Sequence, residues 1–151
     1  MELHHHRVLV VEDDADCRDA VTNLLESEGY AVTGAEDGQV ALDRLREGLD
    51  PCVILLDLMM PDMDGFAVCQ ALRASGKRIP VILLTARDDT DTRLEGMNLG
   101  VSEFLTKPIN RVELLARVRA QLHILALGRQ LEAVEANLQA RGQRRGTAPR
   151  G

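Results

Sequence analysis

The sequence predicts an α/β fold, a parallel sheet with helices on both sides. Three observations carry that prediction. Five short apolar runs punctuate the first two-thirds of the chain. Most are continuous rather than alternating, as strands covered on both faces must be. Between them lie segments of helical length whose apolar residues recur every three or four positions.

The first run is Val8–Val11. The helical segment after it carries Cys17, Val21, Leu24 and Leu25 as one stripe and ends at Gly29, a residue suited to a left-handed cap. Ala31–Thr33 is the second run, followed by Ala41, Leu42 and Leu45 before Gly48. Val53–Leu56 is the third, with Phe66, Cys69 and Leu72 before Gly76. Val81–Leu84 is the fourth. The segment after it, Asp88 to Leu99, has five charged residues and only a thin stripe of Leu94 and Met97 before Gly100. It is predicted to be weakly anchored and mobile. Phe104–Leu105 is the fifth run, and Val112, Leu115, Val118 and Leu122 form the stripe of the last helix.

That last helix does not stop where a compact domain would stop it. Ile124, Leu127, Leu131, Val134 and Leu138 keep a 3-4-3-4 spacing, the seam of a two-stranded coiled coil. The seam covers about two heptads, and Gly128 inside it costs up to about 1 kcal/mol of helix stability. Beyond Ala140 the composition turns to Arg, Gly, Gln and Pro, which predicts a disordered tail over 141–151. Residues 128–151 hold five Arg and two Glu, a net of +3, leaving −9 for residues 1–127. An acidic body and a basic tail are expected as separate units.

With 151 residues and a formal net charge of −6, the chain fits one ordinary domain. Aromatic residues make up only 2% of it, Tyr30, Phe66 and Phe104 with no Trp. The core must be aliphatic, and no aromatic platform exists for stacking bases or a flavin ring. The acidic body argues against direct nucleic-acid binding. Apolar runs of about five residues are too short to span a membrane. No long apolar leader is present, so a cytoplasmic location is expected. Cys17, Cys52 and Cys69 are an odd, widely spaced set that suits reduced thiols. His4–His6 belong to residues 1–6, read as a tag remnant or leader.

In an open parallel sheet, ligands bind beyond the carboxyl ends of the strands. Glu12, Asp13 and Asp14 end the first run, Asp57 the third, Thr85 the fourth, and Thr106, Lys107 and Pro108 the fifth. One crevice thereby gathers several carboxylates, a hydroxyl and one of only two lysines. Converging carboxylates repel one another unless a cation is present. An oxygen-only ligand set with open positions suits Mg²⁺. A carboxylate beside such an ion can attack phosphorus and form an acyl phosphate. Phosphoryl transfer to Asp57 is the one chemistry that uses all of these groups.

Simpler roles compete. Asp14 reads as a helix cap, and Glu12 and Asp13 taken alone fit a cap as well as a metal ligand. Thr85 alone is an ordinary strand-end residue, and Lys107 alone a surface lysine. The Lys107–Pro108 bond is a candidate cis peptide. Asp62-Met63-Asp64-Gly65 looks like part of an EF-hand loop, but Met60 stands where its first ligand should be, so a turn is expected. Neither GxGxxG nor GxxxxGK[ST] occurs.

Four segments in order, Val8 to Asp14, Leu55 to Gly65, Leu84-Thr85-Ala86 and Phe104 to Pro108, closely resemble the receiver (CheY-like) domain of bacterial response regulators. The resemblance spans about residues 6–124. It implies a flavodoxin-like sheet of order 2-1-3-4-5 with five helices, the last extended C-terminally. The expected division is a receiver domain over 7–124, a helical or coiled-coil extension over 125–140, and the tail. The resemblance implies that Asp57 accepts a phosphoryl group from a sensor histidine kinase, a phosphotransfer protein or a small phosphodonor. Glu12 and Asp13 would hold Mg²⁺ with Asp57 and the main-chain carbonyl of Met59. Glu12 stands where Asp is commoner, which lengthens one ligand arm. Lys107 would contact the phosphoryl group, Thr85 would swing toward it, and Phe104 would be the switch aromatic. Met59 and Arg87 occupy the positions that tune dephosphorylation, and neither obviously positions a water, so a long-lived phosphoryl group is expected.

The segment Lys107 to Leu122 is similar to the last helix of DNA-binding response regulators. That resemblance implies a homodimer through the fourth helix, fifth strand and fifth helix, with Arg93, Glu103, Glu113 and Arg117 as opposed charges; the C-terminal coil is the other candidate interface. No DNA-binding domain follows in this sequence. The expected protein is a switch rather than an enzyme. Its rivals are a phosphorylation-independent interaction module and a metal-dependent phosphohydrolase. The latter usually carries a second acid two positions after the nucleophile, where this chain has Met59.

Overall fold

A computed structural model describes residues 6–87 and 89–147, the side chains of 143–147 excepted. Strands and helices alternate in chain order: β1 (Arg7–Val11), α1 (Ala15–Ser27), β2 (Ala31–Ala35), α2 (Gly38–Arg46), β3 (Val53–Asp57), α3 (Gly65–Ala74), β4 (Val81–Thr85), α4 (Thr90–Asn98), β5 (Glu103–Thr106) and α5 (Arg111–Thr147). The five strands form one parallel sheet in the order β2-β1-β3-β4-β5. This is the flavodoxin-like arrangement that the sequence resemblance implied.

Period-two alternation divides the strand residues between two aliphatic cores. Leu9, Val11, Ile54, Leu56, Val81 and Leu83 face one side, where α2 and α3 add Ala41, Leu45, Val68, Cys69 and Leu72. Val8, Val10, Val53, Leu55, Ile82 and Leu84 face the other, against Val21 and Leu25 of α1 and Leu114, Val118 and Leu122 of α5. Both faces of β3 and β4 are therefore buried, which explains their unbroken apolar runs. The edge strands β2 and β5 are only partly covered.

Side chains start the helices where sequence and chemistry require. Asp14, Asp37, Asp64 and Asp89 cap α1 to α4, each accepting from main-chain N–H groups of the first turn. Asp64 is thus a cap and Asp62 a left-handed turn residue (φ 68°), the turn expected in place of a calcium loop. Past α1, Gly29 takes φ 93°, a conformation a side chain would strain.

Three expectations fail. On α4, Leu94 and Met97 are 52% and 64% exposed, so the thin stripe faces outward, and Thr92 and Gly96 are the residues that face inward. On α5 the buried stripe is Leu114, Val118, Gln121 and Leu122; Val112 is 77% exposed and Leu115 only partly covered. The two stripes share Val118 and Leu122 and both fit a 3.6-residue repeat, so only packing selects between them. Finally, α5 remains helical to Thr147, past Ala140 where disorder was expected. Arg, Gln and Ala favour helix, and its glycines only weaken it. Residues 148–151, His4, His5 and Asp88 lie outside the described residues. No helix among the described residues is long and apolar enough to cross a membrane.

Candidate functional site

Because all five strands run the same way, their carboxyl ends open at one edge of the sheet. Glu12 follows β1, Asp57 closes β3 beside Leu84, and Thr85 closes β4 beside Thr106. A main-chain bond from Lys107 N–H to the Thr85 carbonyl (2.8 Å) holds the β5 exit against β4, and the Lys107–Pro108 peptide is cis. On the other side, Gly65 lets α3 approach the acceptor loop. A Cβ there would lie 2.8 Å from the Asp57 carbonyl oxygen and 2.9 Å from Leu58 Cα.

The fold brings four of the sequence candidates together. Lys107 Nζ is 2.7 Å from Glu12 Oε1 and 3.1 Å from Asp57 Oδ1. Carboxylate oxygens of Glu12, Asp13 and Asp57 lie within 4.8 Å of one another, the first and last buried and Asp13 exposed. Burial, then the neighbouring Glu12, pushes the Asp57 carboxyl up to about 7, against the pull of Lys107. Burial works in the same direction on Glu12, yet hydrogen bonding with Asp57, Lys107 and Cys17 brings it down to about 2. Burial disfavours charge on Lys107 too, but its bonds to the two carboxylates raise it above the ordinary lysine value. A single ammonium thus balances two buried carboxyl groups, with a third at the rim. This all-oxygen, over-acidic donor set fits a hard divalent cation such as Mg²⁺.

Met59, Thr85 and Phe104 stand differently. The Met59 side chain is 57% exposed, and its N–H lies 3.4 Å from Asp57 Oδ1. The Thr85 hydroxyl is bound to its own loop, accepting from Arg87 N–H at 2.8 Å and donating to the Arg87 carbonyl at 3.2 Å. Phe104 packs against the edge of the α2/α3-side core under the Arg93 guanidinium, 5.3 Å from the ring centre.

Sequence reasoning missed two neighbours. Arg18 donates to the Glu12 carbonyl at 2.7 Å and so fixes the first acidic residue; a cation one turn into α1 was the available signal. Cys17 sits beside Glu12, and burial together with that carboxylate raises its thiol to about 11. Nothing in its apolar spacing announced that neighbour.

Residues 8–119 match the sequence signature of the response regulator receiver domain. The chain belongs to that family. A receiver of this kind is a signalling domain, not a classical enzyme. The chain is 43% identical over 116 residues to the response regulator MprA of Mycolicibacterium vanbaalenii, covering 77% of this chain and 50% of that protein. It spans about half the length of the curated relatives it matches. Among solved structures it is similar to the Francisella response regulator 1452 receiver domain (34% identity, TM-score 0.75, 80% of this chain and 98% of that one). It is also similar to the chemotaxis protein CheY4 of Vibrio cholerae (32% identity, TM-score 0.73, 76% and 97%). Receivers generally bind Mg²⁺ at such an acidic pocket, and histidine kinases phosphorylate response regulators.

Proposed function

We propose that this receiver accepts a phosphoryl group on Asp57 and uses it as a switch. The observation that carries the reading is the buried Asp57 carboxyl held between Glu12 and Lys107 at the open edge of the sheet. An Asp57 carboxylate oxygen forms the new O–P bond while the bond from phosphorus to the donor breaks, the donor keeping the electron pair. The donor is the phosphohistidine of a sensor kinase or phosphotransfer protein, or a small acyl phosphate. Glu12, Asp13, Asp57 and the Met59 main-chain carbonyl would hold Mg²⁺, which when bound neutralises charge on the phosphoryl oxygens.

The chain's own groups supply the rest. Lys107 is already within reach of Asp57 and moves its ammonium onto a phosphoryl oxygen. Thr85 gives up its bonds to Arg87 and turns its hydroxyl to another. The Phe104 ring then follows into the space that Thr85 leaves, and α4, whose exposed Leu94 and Met97 give it little anchorage, shifts with it. The signal leaves through the α4–β5–α5 surface or through α5 beyond Leu122. There Ile124, Leu127, Leu131, Val134 and Leu138 are all at least half exposed to solvent. Their heptad spacing suits pairing with a second copy, and the Arg117–Glu103 ion pair (3.8 Å) links α5 to β5. Free thiols at Cys17, Cys52 and Cys69 accord with a cytoplasmic setting.

The test is intact mass after incubation with acetyl phosphate and Mg²⁺. One phosphoryl group per chain is expected, and none on Asp57→Asn. Undiminished labelling of that variant overturns the assignment. Steady release of phosphate without stoichiometric labelling would favour a phosphohydrolase instead.

A further inference from the structure

The sheet has a second edge, where the strands begin, and the chemistry at Asp57 uses none of it. There the α3–β4 connection (75–80), the α4–β5 connection (99–102) and α5 enclose a groove of about 670 Å³. Arg73, Lys77 and Arg78 line it, and among the described residues no acidic one does. None of the three forms an ion pair among the described residues. Such a cluster stands out in a body whose net charge over residues 1–127 is −9.

Arg73 explains how the groove is built. Its Nε donates to the Leu99 carbonyl (3.0 Å), Nη1 to those of Lys77 (2.9 Å) and Ile79 (3.5 Å), and Nη2 to that of Gly100 (2.8 Å). The guanidinium ties the two connections together and keeps one of its five N–H groups, on Nη2, unspent. Its charge has only carbonyl dipoles for company. The Lys77 ammonium and Arg78 guanidinium make no hydrogen bond among the described residues, so both are available to an incoming group.

Gln121 adds an uncharged polar group to the lining. It is 6% exposed, lines the same groove, and its amide makes no hydrogen bond among the described residues. Its amide atoms stay open to the water of the groove, where a polar group from outside the chain can meet them. We propose that the groove binds a small phosphate-bearing anion, its charge met by Arg73, Lys77 and Arg78 and an uncharged polar part of it by Gln121. The volume lies within the range of about 300–1,000 Å³ typical of small-ligand sites. An acidic peptide would instead need cations spread along a strip, and here all three open on one depression. Ile124, the first residue of the coiled-coil seam, also lines the groove, so an occupant touches the root of the extension. Binding there and pairing of the extension are then linked reciprocally.

The experiment is isothermal titration of the intact chain in EDTA, with inorganic pyrophosphate and ATP as the two probes. Chelation keeps divalent cations away from Asp57. Saturable binding is expected, weakened about tenfold or more in the Lys77→Ser/Arg78→Ser double variant, whose thermal midpoint should not change because both side chains lack partners. Tighter pyrophosphate would mark free phosphate as the source, and tighter ATP an organic phosphate whose affinity Gln121→Leu should also lower. Failure of both probes to saturate overturns the proposal. So does equal affinity in the double variant, or tighter binding of a hexaglutamate peptide than of either probe. Phosphorylation of Asp57 can stand or fall independently of all these outcomes.

Discussion

Gly96 and Phe104 contest one space: a Cβ on Gly96 would lie 2.5 Å from Phe104 Cζ and 2.7 Å from Cε1. The absence of a side chain on α4 therefore lets the ring lie where it does, under Arg93. Gly96→Ala should displace the ring. Alanine favours the helix by about 1 kcal/mol, while overpacking costs about 1–3 kcal/mol, so a net loss of about 1 kcal/mol in urea unfolding of the metal-free protein is expected. Because the displaced ring belongs to the state assigned to the phosphorylated receiver, the variant should bind beryllofluoride about threefold more tightly or better. Unchanged affinity would separate the ring from the switch.

Asp57 makes the metal-free protein pH-sensitive in a definite direction. Burial, reinforced by Glu12, raises its folded value to about 7 from an ordinary 3.8. The folded state therefore holds this proton more firmly than the unfolded chain does. Stability from Asp57 is greatest below pH 3.8 and is lost as pH rises through 7. Asp57→Asn does not titrate, so its melting point should exceed that of the parent by about 2–6 °C at pH 8 and match it near pH 4. Mg²⁺ should narrow the gap at pH 8. Circular dichroism melts across this range check it, and a gap independent of pH would contradict the electrostatic origin.

The parts of this structure written in contiguous residues were legible in the sequence. β3 and β4 are covered on both faces, so each reads as an unbroken apolar run ending in its candidate site residue, Asp57 or Thr85. Asp14 reads as a cap because capping is local, whereas Asp64 reads only as part of a turn and its capping of α3 comes from the structure. The helix faces were harder. Leu94 and Met97 form the obvious stripe of α4, yet the inward residues are Thr92 and Gly96, and at Gly96 the Phe104 ring leaves no room for a side chain. Along α5 several stripes satisfy the same period, and the core chose Leu114, Val118 and Leu122. The groove beside Gln121 could not be foreseen, because Arg73 assembles it from carbonyls up to 27 residues away.

The cysteines give a prediction that rests chiefly on burial. Cys69 is fully buried, and desolvation raises its thiol to about 11. Burial and Glu12 hold Cys17 at about the same value. At pH 8 both are almost wholly protonated, and the thiolate is the reactive form. Iodoacetamide should therefore place one fast label per folded chain, on Cys52. Labelling of Cys69 should wait for unfolding, appearing near the urea midpoint. Peptide mapping of the alkylated protein decides, and rapid modification of Cys69 under native conditions would place that thiol outside the core.

Loss of the phosphoryl group requires a water in line with the Asp57–phosphorus bond, and the two side chains best placed to orient it are poorly suited. Met59 is exposed beside Asp57, but a thioether is too weak an acceptor to fix a water. Arg87 points its Nε at Asp89 Oδ2, 3.6 Å away, and brings no acceptor of its own. The acyl phosphate should therefore decay over minutes to hours in the presence of Mg²⁺. Met59→Asn puts a donor and an acceptor where the sulfur was, and should shorten the half-life about tenfold without altering which residue is labelled. Decay of the labelled species, followed by intact mass at pH 7, measures both. A parent half-life of seconds would show that another group, or the main chain itself, positions the attacking water.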